Sequence, residues 1–154
     1  SERVRGALRS GCEALGLRHH VGGTYVCIEG PQFSTRAESH TFRQWHNVAV
    51  IGMTNLPEAR LAREAELPYA TMAMVTDYDC WNDAHDAVTV EQVVATLTAN
   101  VEKARDVIKA VAANPPSEAC PSQTALQHAI MTRREAFDPQ AWARVELFAG
   151  KYFD

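Results

Sequence analysis

Val48-Ala49-Val50-Ile51-Gly52-Met53-Thr54 opens the stretch that decides the fold, and Tyr69-Ala70-Thr71-Met72-Ala73-Met74-Val75-Thr76-Asp77 closes it. Each is a short apolar run that ends in polar residues. Between them, Pro57 suits the first turn of a helix running to about Glu66. The segment 48–76 therefore reads as strand, helix, strand. Such a unit pairs its strands in parallel through a right-handed crossover. Both strands then end on one edge of the sheet. Open α/β sheets bind their ligands outside that edge.

The alternation continues outward. Val4, Leu8, Cys12 and Leu15 fall at helical spacing, and Gly16 is a suitable stop. Thr24 to Ile28 has the β-branched and aromatic content of a strand, broken by Gly30-Pro31. Thr35-Arg36-Ala37-Glu38 matches a capping box, with a helix to about Trp45. Thr89-Val90-Glu91-Gln92 is a second box. It opens a long helix with Val90, Val93, Val94, Leu97, Val101, Ala104, Val107, Ile108 and Val111 on one stripe. Asn114-Pro115-Pro116 ends that helix, and a loop runs to Gln123. Ala125 to Thr132 and Gln140 to Lys151 read as two shorter helices. The class is α/β.

Composition sets the outer limits. A chain of 154 residues, 46% hydrophobic and 22% charged, can bury one core. A net charge of −4 gives no electrostatic reason to expect nucleic acid or an anionic membrane. No apolar run approaches the ~20 residues of a membrane span. Ser1-Glu2-Arg3-Val4-Arg5 is charged and resembles no signal peptide. Cys12, Cys27, Cys80 and Cys120 are scattered without a CxxC, which fits reduced thiols in the cytoplasm.

Thr76-Asp77-Tyr78-Asp79-Cys80-Trp81 carries the chemistry. In an extended chain, residues i and i+2 point to one side. Asp77 and Asp79 can then enter one pocket, joined by Gly52-Met53-Thr54 and the Gly30 to Thr35 loop. Adenine shows an acceptor at N7 and a donor at its 6-amino group on one edge. A protonated carboxyl can donate to N7 while an ionised one accepts from the amino group. A 6-oxopurine shows two acceptors there and suits such a pair less well. A proton given to N7 also neutralises the charge left on a departing purine. An Asp-x-Asp after a strand serves equally as a turn and helix cap. A metal site is not expected, because His85 lies in an acidic stretch and no third ligand has a supporting spacing.

The segment Thr76 to Trp81 resembles the base-recognition segment of the S-methyl-5'-thioadenosine phosphorylases, within the purine nucleoside phosphorylase family. Glu29-Gly30-Pro31-Gln32-Phe33-Ser34-Thr35-Arg36-Ala37-Glu38-Ser39 is similar to that family's E-G-P-x-F-[ST]-[ST]-x-A-E-[ST] loop. Gly52-Met53-Thr54 resembles its G-M-[ST] element, followed by the family-like Leu56-Pro57-Glu58 and Leu61-Ala62-Arg63-Glu64. Several members carry Asn where this chain has Gly52. The resemblance covers Gly16 to about Ala113, and more loosely Ala125 to Thr132 and Gly150 to Phe153.

The resemblance implies a mixed, twisted sheet flanked by helices in three layers. It implies phosphorolysis of 5'-methylthioadenosine to adenine and 5-methylthioribose 1-phosphate. Inorganic phosphate is the co-substrate, with no organic cofactor or metal. Asp77 corresponds to the N7 proton donor, and Asp79 to the group that orients through the 6-amino group. Phe33 packs on the base, Met53 meets the sugar, and Thr54 meets phosphate. Tyr78 joins the substrate-binding set. Ser34, Val90 and Val93 correspond to positions that set specificity at the 5' end. For Phe33, Met53, Val90 and Val93, ordinary core packing is the competing reading. Arg36 and Glu38 are explained by a charged first helical turn. The family's Gly-rich loop, Arg-His pair and further Thr for phosphate have no match here, and Arg18-His19-His20 is not assigned to that role. The expectation is that residues 1–154 form the C-terminal portion of one domain. They would pair with an N-terminal phosphate-binding portion and assemble as a homotrimer. The alternatives are a phosphorylase of the same fold acting on a purine nucleoside or methylthioinosine, and a non-catalytic purine-binding fragment.

Overall fold

A computed structural model describes residues 1–82 and 89–153. Its helices are α1 (Glu2–Ala14), α2 (Arg36–Phe42), α3 (Asn55–Glu64), α4 (Val90–Ala113) and α5 (Pro139–Ala149). The strands are β1 (Thr24–Cys27) and β2 (Val48–Gly52). Single 3-10 turns lie at Pro121–Thr124, Arg134–Ala136 and Gly150–Tyr152. Both capping boxes form. Thr35 and Glu38 start α2, and Thr89 and Gln92 start α4, each side chain meeting the other residue's backbone N–H. Pro57 falls in the first turn of α3, where its missing N–H loses nothing. Gly16 ends α1 with a φ of +63°.

β1 and β2 pair in parallel, with Val26 opposite Ile51 and Cys27 opposite Gly52. A parallel pair needs a crossover, and the chain from Ile28 to Asn47, carrying α2, supplies it. The Ile28 amide then donates to the Gly52 carbonyl at 2.9 Å. The Gly30 loop and the Gly52-Met53-Thr54 turn thus leave the sheet at one edge.

Tyr69 to Val75 departs from the expected strand and forms no ladder. β2 takes β1 as its partner, and among the described residues the sheet has two strands. The end carbonyls of the 69–75 segment are bound elsewhere. Ser1 N donates to the Tyr69 carbonyl at 2.6 Å, and Asn100 Nδ2 to the Val75 carbonyl at 3.0 Å. The Tyr69 hydroxyl (3.1 Å) and the Thr71 hydroxyl both donate to Asn55 Oδ1. The segment keeps the composition of a strand without the pairing.

Ala125 to Thr132 is likewise not an α-helix. Pro121–Thr124 is a 3-10 turn, followed by turns bonded from i to i−3, such as Ala129 N to Leu126 O at 3.0 Å. The Leu126 amide is taken instead by the Glu66 carboxylate at 2.8 Å. Glu66 lies just past α3, nearly buried. It also accepts from the Tyr152 hydroxyl at 2.5 Å and pairs with the Lys151 ammonium. Burial raises the Glu66 pKa. The hydrogen bonds from Lys151, Tyr152 and Leu126, with the Lys151 charge, outweigh it and hold the group at about 2. This clamp fixes the chain's end to α3. Beside it, Phe137, Trp142 and Phe153 form an aromatic cluster with centroids 5.3 to 5.6 Å apart.

The apolar residues of α4 form two faces instead of one stripe. Val107 is fully buried on α1, where Gly11 lets the backbones approach. A Cβ at Gly11 would stand 3.3 Å from Val107 Cγ1. Val90, Val94, Leu97, Val101 and Ile108 are exposed. Among the described residues the buried apolar side chains are Val26, Val107 and Ala149. The chain exposes 11,610 Å². A compact monomer of this mass would expose about 7,700 Å² by the usual scaling.

Candidate functional site

The site begins with Gly30, whose φ of +77° lies in the region that favours glycine. The chain turns there, and a Cβ would stand 3.0 Å from Met53 Sδ. Met53 therefore packs over the loop and ties the second turn to the first. Gly52 admits no side chain: a Cβ would fall on the Tyr25 hydroxyl. That overlap gives a steric reason for Gly in this chain.

The third loop arrives through Cys80. Its thiol donates to the Ser34 carbonyl at 3.3 Å. Burial and the nearby Asp79 carboxylate push the Cys80 thiol pKa up, outweighing the effect of the Ser39 hydroxyl. Ser39 is fully buried on α2, and its hydroxyl finds no partner of ordinary hydrogen-bond geometry among the described residues. One helical turn on, the Arg43 guanidinium lies 3.7 Å from the centroid of the Trp81 ring. Tyr78 meets Trp81 edge to face, with centroids 6.0 Å apart.

A cavity of about 340 Å³ opens along the segment 27–38. Its wall includes Cys27, Ile28, Gly30, Phe33, Ser34 and Glu38. That size is at the small end of ligand sites. Phe33 is 85% exposed, an aromatic face without a cover. Glu38 is held anionic, because the Thr35 amide (2.7 Å) and hydroxyl (2.8 Å) donate to its carboxylate and lower its pKa.

The expected site residues fall into three groups. Phe33 and Ser34 line the cavity. Asp77, Tyr78 and Asp79 are not in its wall; they precede Cys80, whose thiol reaches Ser34, while Met53 lies against Gly30. Asp77 is exposed and accepts from the Thr76 hydroxyl at 2.7 Å, whereas Asp79 is half-buried and accepts from the Cys80 amide at 2.9 Å. Burial thus does not treat the two carboxylates alike. Thr54 is the exposed N-cap of α3, and its side chain makes no capping bond. Val90 and Val93 occupy the first turn of α4 and are not part of the cavity wall. His85 lies outside the described residues. Among the described residues no cluster of three or more His, Cys, Asp or Glu is placed to hold a metal. All four cysteines are free thiols.

Ser39, Cys80 and Arg43 were not singled out from the sequence. The available signal was the spacing of Thr35, Ser39 and Arg43, which sets them on one side of α2.

The family model described as "Phosphorylase superfamily" matches residues 1–113. The S-methyl-5'-thioadenosine phosphorylase of Koribacter versatilis (strain Ellin345) is 54% identical over 142 residues, covering 92% of this chain and 48% of the relative. A methylthioadenosine phosphorylase from an antarctic soil metagenomic library superposes with a TM-score of 0.81 at 41% identity, covering 93% of this chain and 51% of that one. The methylthioadenosine phosphorylase of Schistosoma mansoni, in complex with adenine, gives 0.67 at 32% identity, over 77% and 47%. The chain spans about half the length of these relatives.

Proposed function

We infer, because this chain belongs to the phosphorylase superfamily, that it forms the purine- and sugar-holding portion of a 5'-methylthioadenosine phosphorylase. Phosphate attacks C1' of the nucleoside. The C1'–N9 bond breaks, and its electron pair leaves with the base. Adenine and 5-methylthioribose 1-phosphate are the products. Asp77 gives the N7 proton that neutralises the departing ring. Asp79 accepts from the 6-amino group, and Phe33 stacks on the base. Tyr78 and Met53 complete the contacts to base and sugar. The Thr54 hydroxyl, with no capping bond to make, donates to phosphate. Ser34, Val90 and Val93 surround the 5' substituent. No organic cofactor or metal enters, and inorganic phosphate is the co-substrate.

The observation that carries this reading is the cavity beside an uncovered Phe33, with the other two motif segments tied to its wall residues, Cys80 to Ser34 and Met53 to Gly30. The large exposed area supports a second part of it. The apolar face of α4 suits burial by the N-terminal portion, which would bring the remaining phosphate-binding groups. A homotrimer in the cytoplasm is the assembly this reading favours. No helix of the described residues is long and apolar enough to cross a membrane.

The test is release of adenine from 5'-methylthioadenosine by this chain assembled with its N-terminal portion. Release must require phosphate. Adenine binding without turnover in phosphate would make the chain a binding module instead. An Asp79→Asn variant that gains activity on a 6-oxopurine nucleoside would support the role given to that carboxyl.

A further inference from the structure

One side of α2 holds the base-reading segment. Thr35, Ser39 and Arg43 recur at intervals of four on a helix whose backbone bonds run Ser39 N to Thr35 O (2.9 Å) and Arg43 N to Ser39 O (3.1 Å). Next to this side, the Cys80 thiol reaches the Ser34 carbonyl across 46 residues of sequence. From it, the Arg43 guanidinium lies over Trp81 at 3.7 Å. Trp81 in turn meets the edge of Tyr78, the residue between Asp77 and Asp79. The Asp77–Asp79 segment belongs to no sheet ladder, so these side-chain contacts do the holding that strand pairing would otherwise do.

We propose that Arg43 is a positioning residue: by stacking on Trp81, alongside the Cys80–Ser34 contact, it sets the spacing between the Asp77–Asp79 pair and Phe33. This rests on the base-binding role given above to those residues. Arg43 itself touches no substrate. Its effect reaches the base through Trp81 and Tyr78. A guanidinium over an indole is held by the ring's negative face, and an ammonium can take the same place more weakly. An uncharged side chain cannot.

The test uses this chain assembled with the remaining portion of the phosphorylase. Arg43→Gln should raise KM for the nucleoside about threefold to tenfold. KM for phosphate and the melting temperature should stay nearly unchanged. Arg43→Lys should restore part of the loss. Unchanged nucleoside KM in Arg43→Gln overturns the proposal. So does a fall in melting temperature with both KM values rising together, because that is general structural damage. Should Arg43→Gln fail to fold, Trp81→Phe and Trp81→Leu decide instead. Phe keeps a ring for the guanidinium and must hold the nucleoside better than Leu does; equal KM values overturn the proposal. Adenine titration separates this idea from the reaction assigned above. If the wild-type assembly binds adenine without phosphorolysis, that reaction is wrong, and Arg43→Gln must still weaken adenine about threefold to tenfold. A wild-type assembly that binds no adenine overturns both.

Discussion

Two acidic centres in this chain are built in opposite ways. Glu66 is nearly buried: its Oε1 accepts from Leu126 and Tyr152, and its Oε2 is ion-paired with Lys151. Among the described residues Asp77 is exposed, Asp79 is half-buried, and each accepts from a residue next to it in sequence, Thr76 and Cys80. A carboxylate surrounded by donors has no capacity left for a ligand. One bound only by its neighbours keeps lone pairs free. The contrast is between a carboxylate held by distant partners and two held by local ones. It also separates two kinds of surface. The clamp closes the chain on itself, whereas the site and the α4 face remain open.

The largest effect should come from the open side. Asp77→Ala in the assembled protein should lower kcat for 5'-methylthioadenosine by roughly 10²- to 10⁴-fold, the range for loss of a general acid. KM for phosphate should hold steady. A kcat within threefold of wild type would return Asp77 to the role of a turn residue. Phe33→Ala should act on binding instead. Base–aromatic stacking is worth about 1–3 kcal/mol. Steady-state kinetics should therefore show a nucleoside KM raised at least fivefold.

Much of this was legible in the chain, and the reasons are local. Thr35 with Glu38, Thr89 with Gln92, and Pro57 in a first turn act within four residues. Those helices start where the residues place them. Gly30 was legible as a strand breaker, whereas the steric reason for Gly52, at the end of β2, is Tyr25 on the neighbouring strand. The misreadings are non-local. Tyr69 to Val75 has β-strand composition, but a strand exists only by its partner, and β2 is paired to β1. Ala125 to Thr132 was read by periodicity, yet Glu66 binds the Leu126 amide from 60 residues away. Nine apolar residues on α4 looked like one stripe because periodicity does not say which neighbours are present. The contacts of Cys80 and Arg43 escaped for the same reason.

The closed side should respond to acid. The Glu66 pKa is lowered from 4.5 to about 2 in the folded chain. Its contribution to stability is fully present above about 4.5 and is lost as pH falls toward 2. Melting followed across this window should show a decline that Glu66→Gln removes. The same variant should lose hydrogen-exchange protection at the Leu126 amide and lower the melting temperature by several degrees. A pH profile identical to wild type would mean that the clamp does not form.

The smallest effect sharpens the contrast by holding the chemistry constant. Arg9 and Glu13 form an ion pair at 2.7 Å, no less close than many buried pairs. Both side chains are about half exposed or more, at 58% and 49%. Water screens the attraction, and fixing two long side chains opposes it. Such an i,i+4 pair contributes about 0.3–0.5 kcal/mol. Its order, Arg before Glu, is also the weaker one along a helix. Arg9→Ala should therefore change stability by less than about 0.5 kcal/mol, and denaturant melts should scarcely separate it from wild type. Added salt should erase what difference there is, since exposed charges are screened within about 8–10 Å at ordinary ionic strength. The Glu66 clamp should keep most of its effect in the same salt. If both pairs respond alike to salt, burial is not what distinguishes them, and the division between closed and open acidic centres fails.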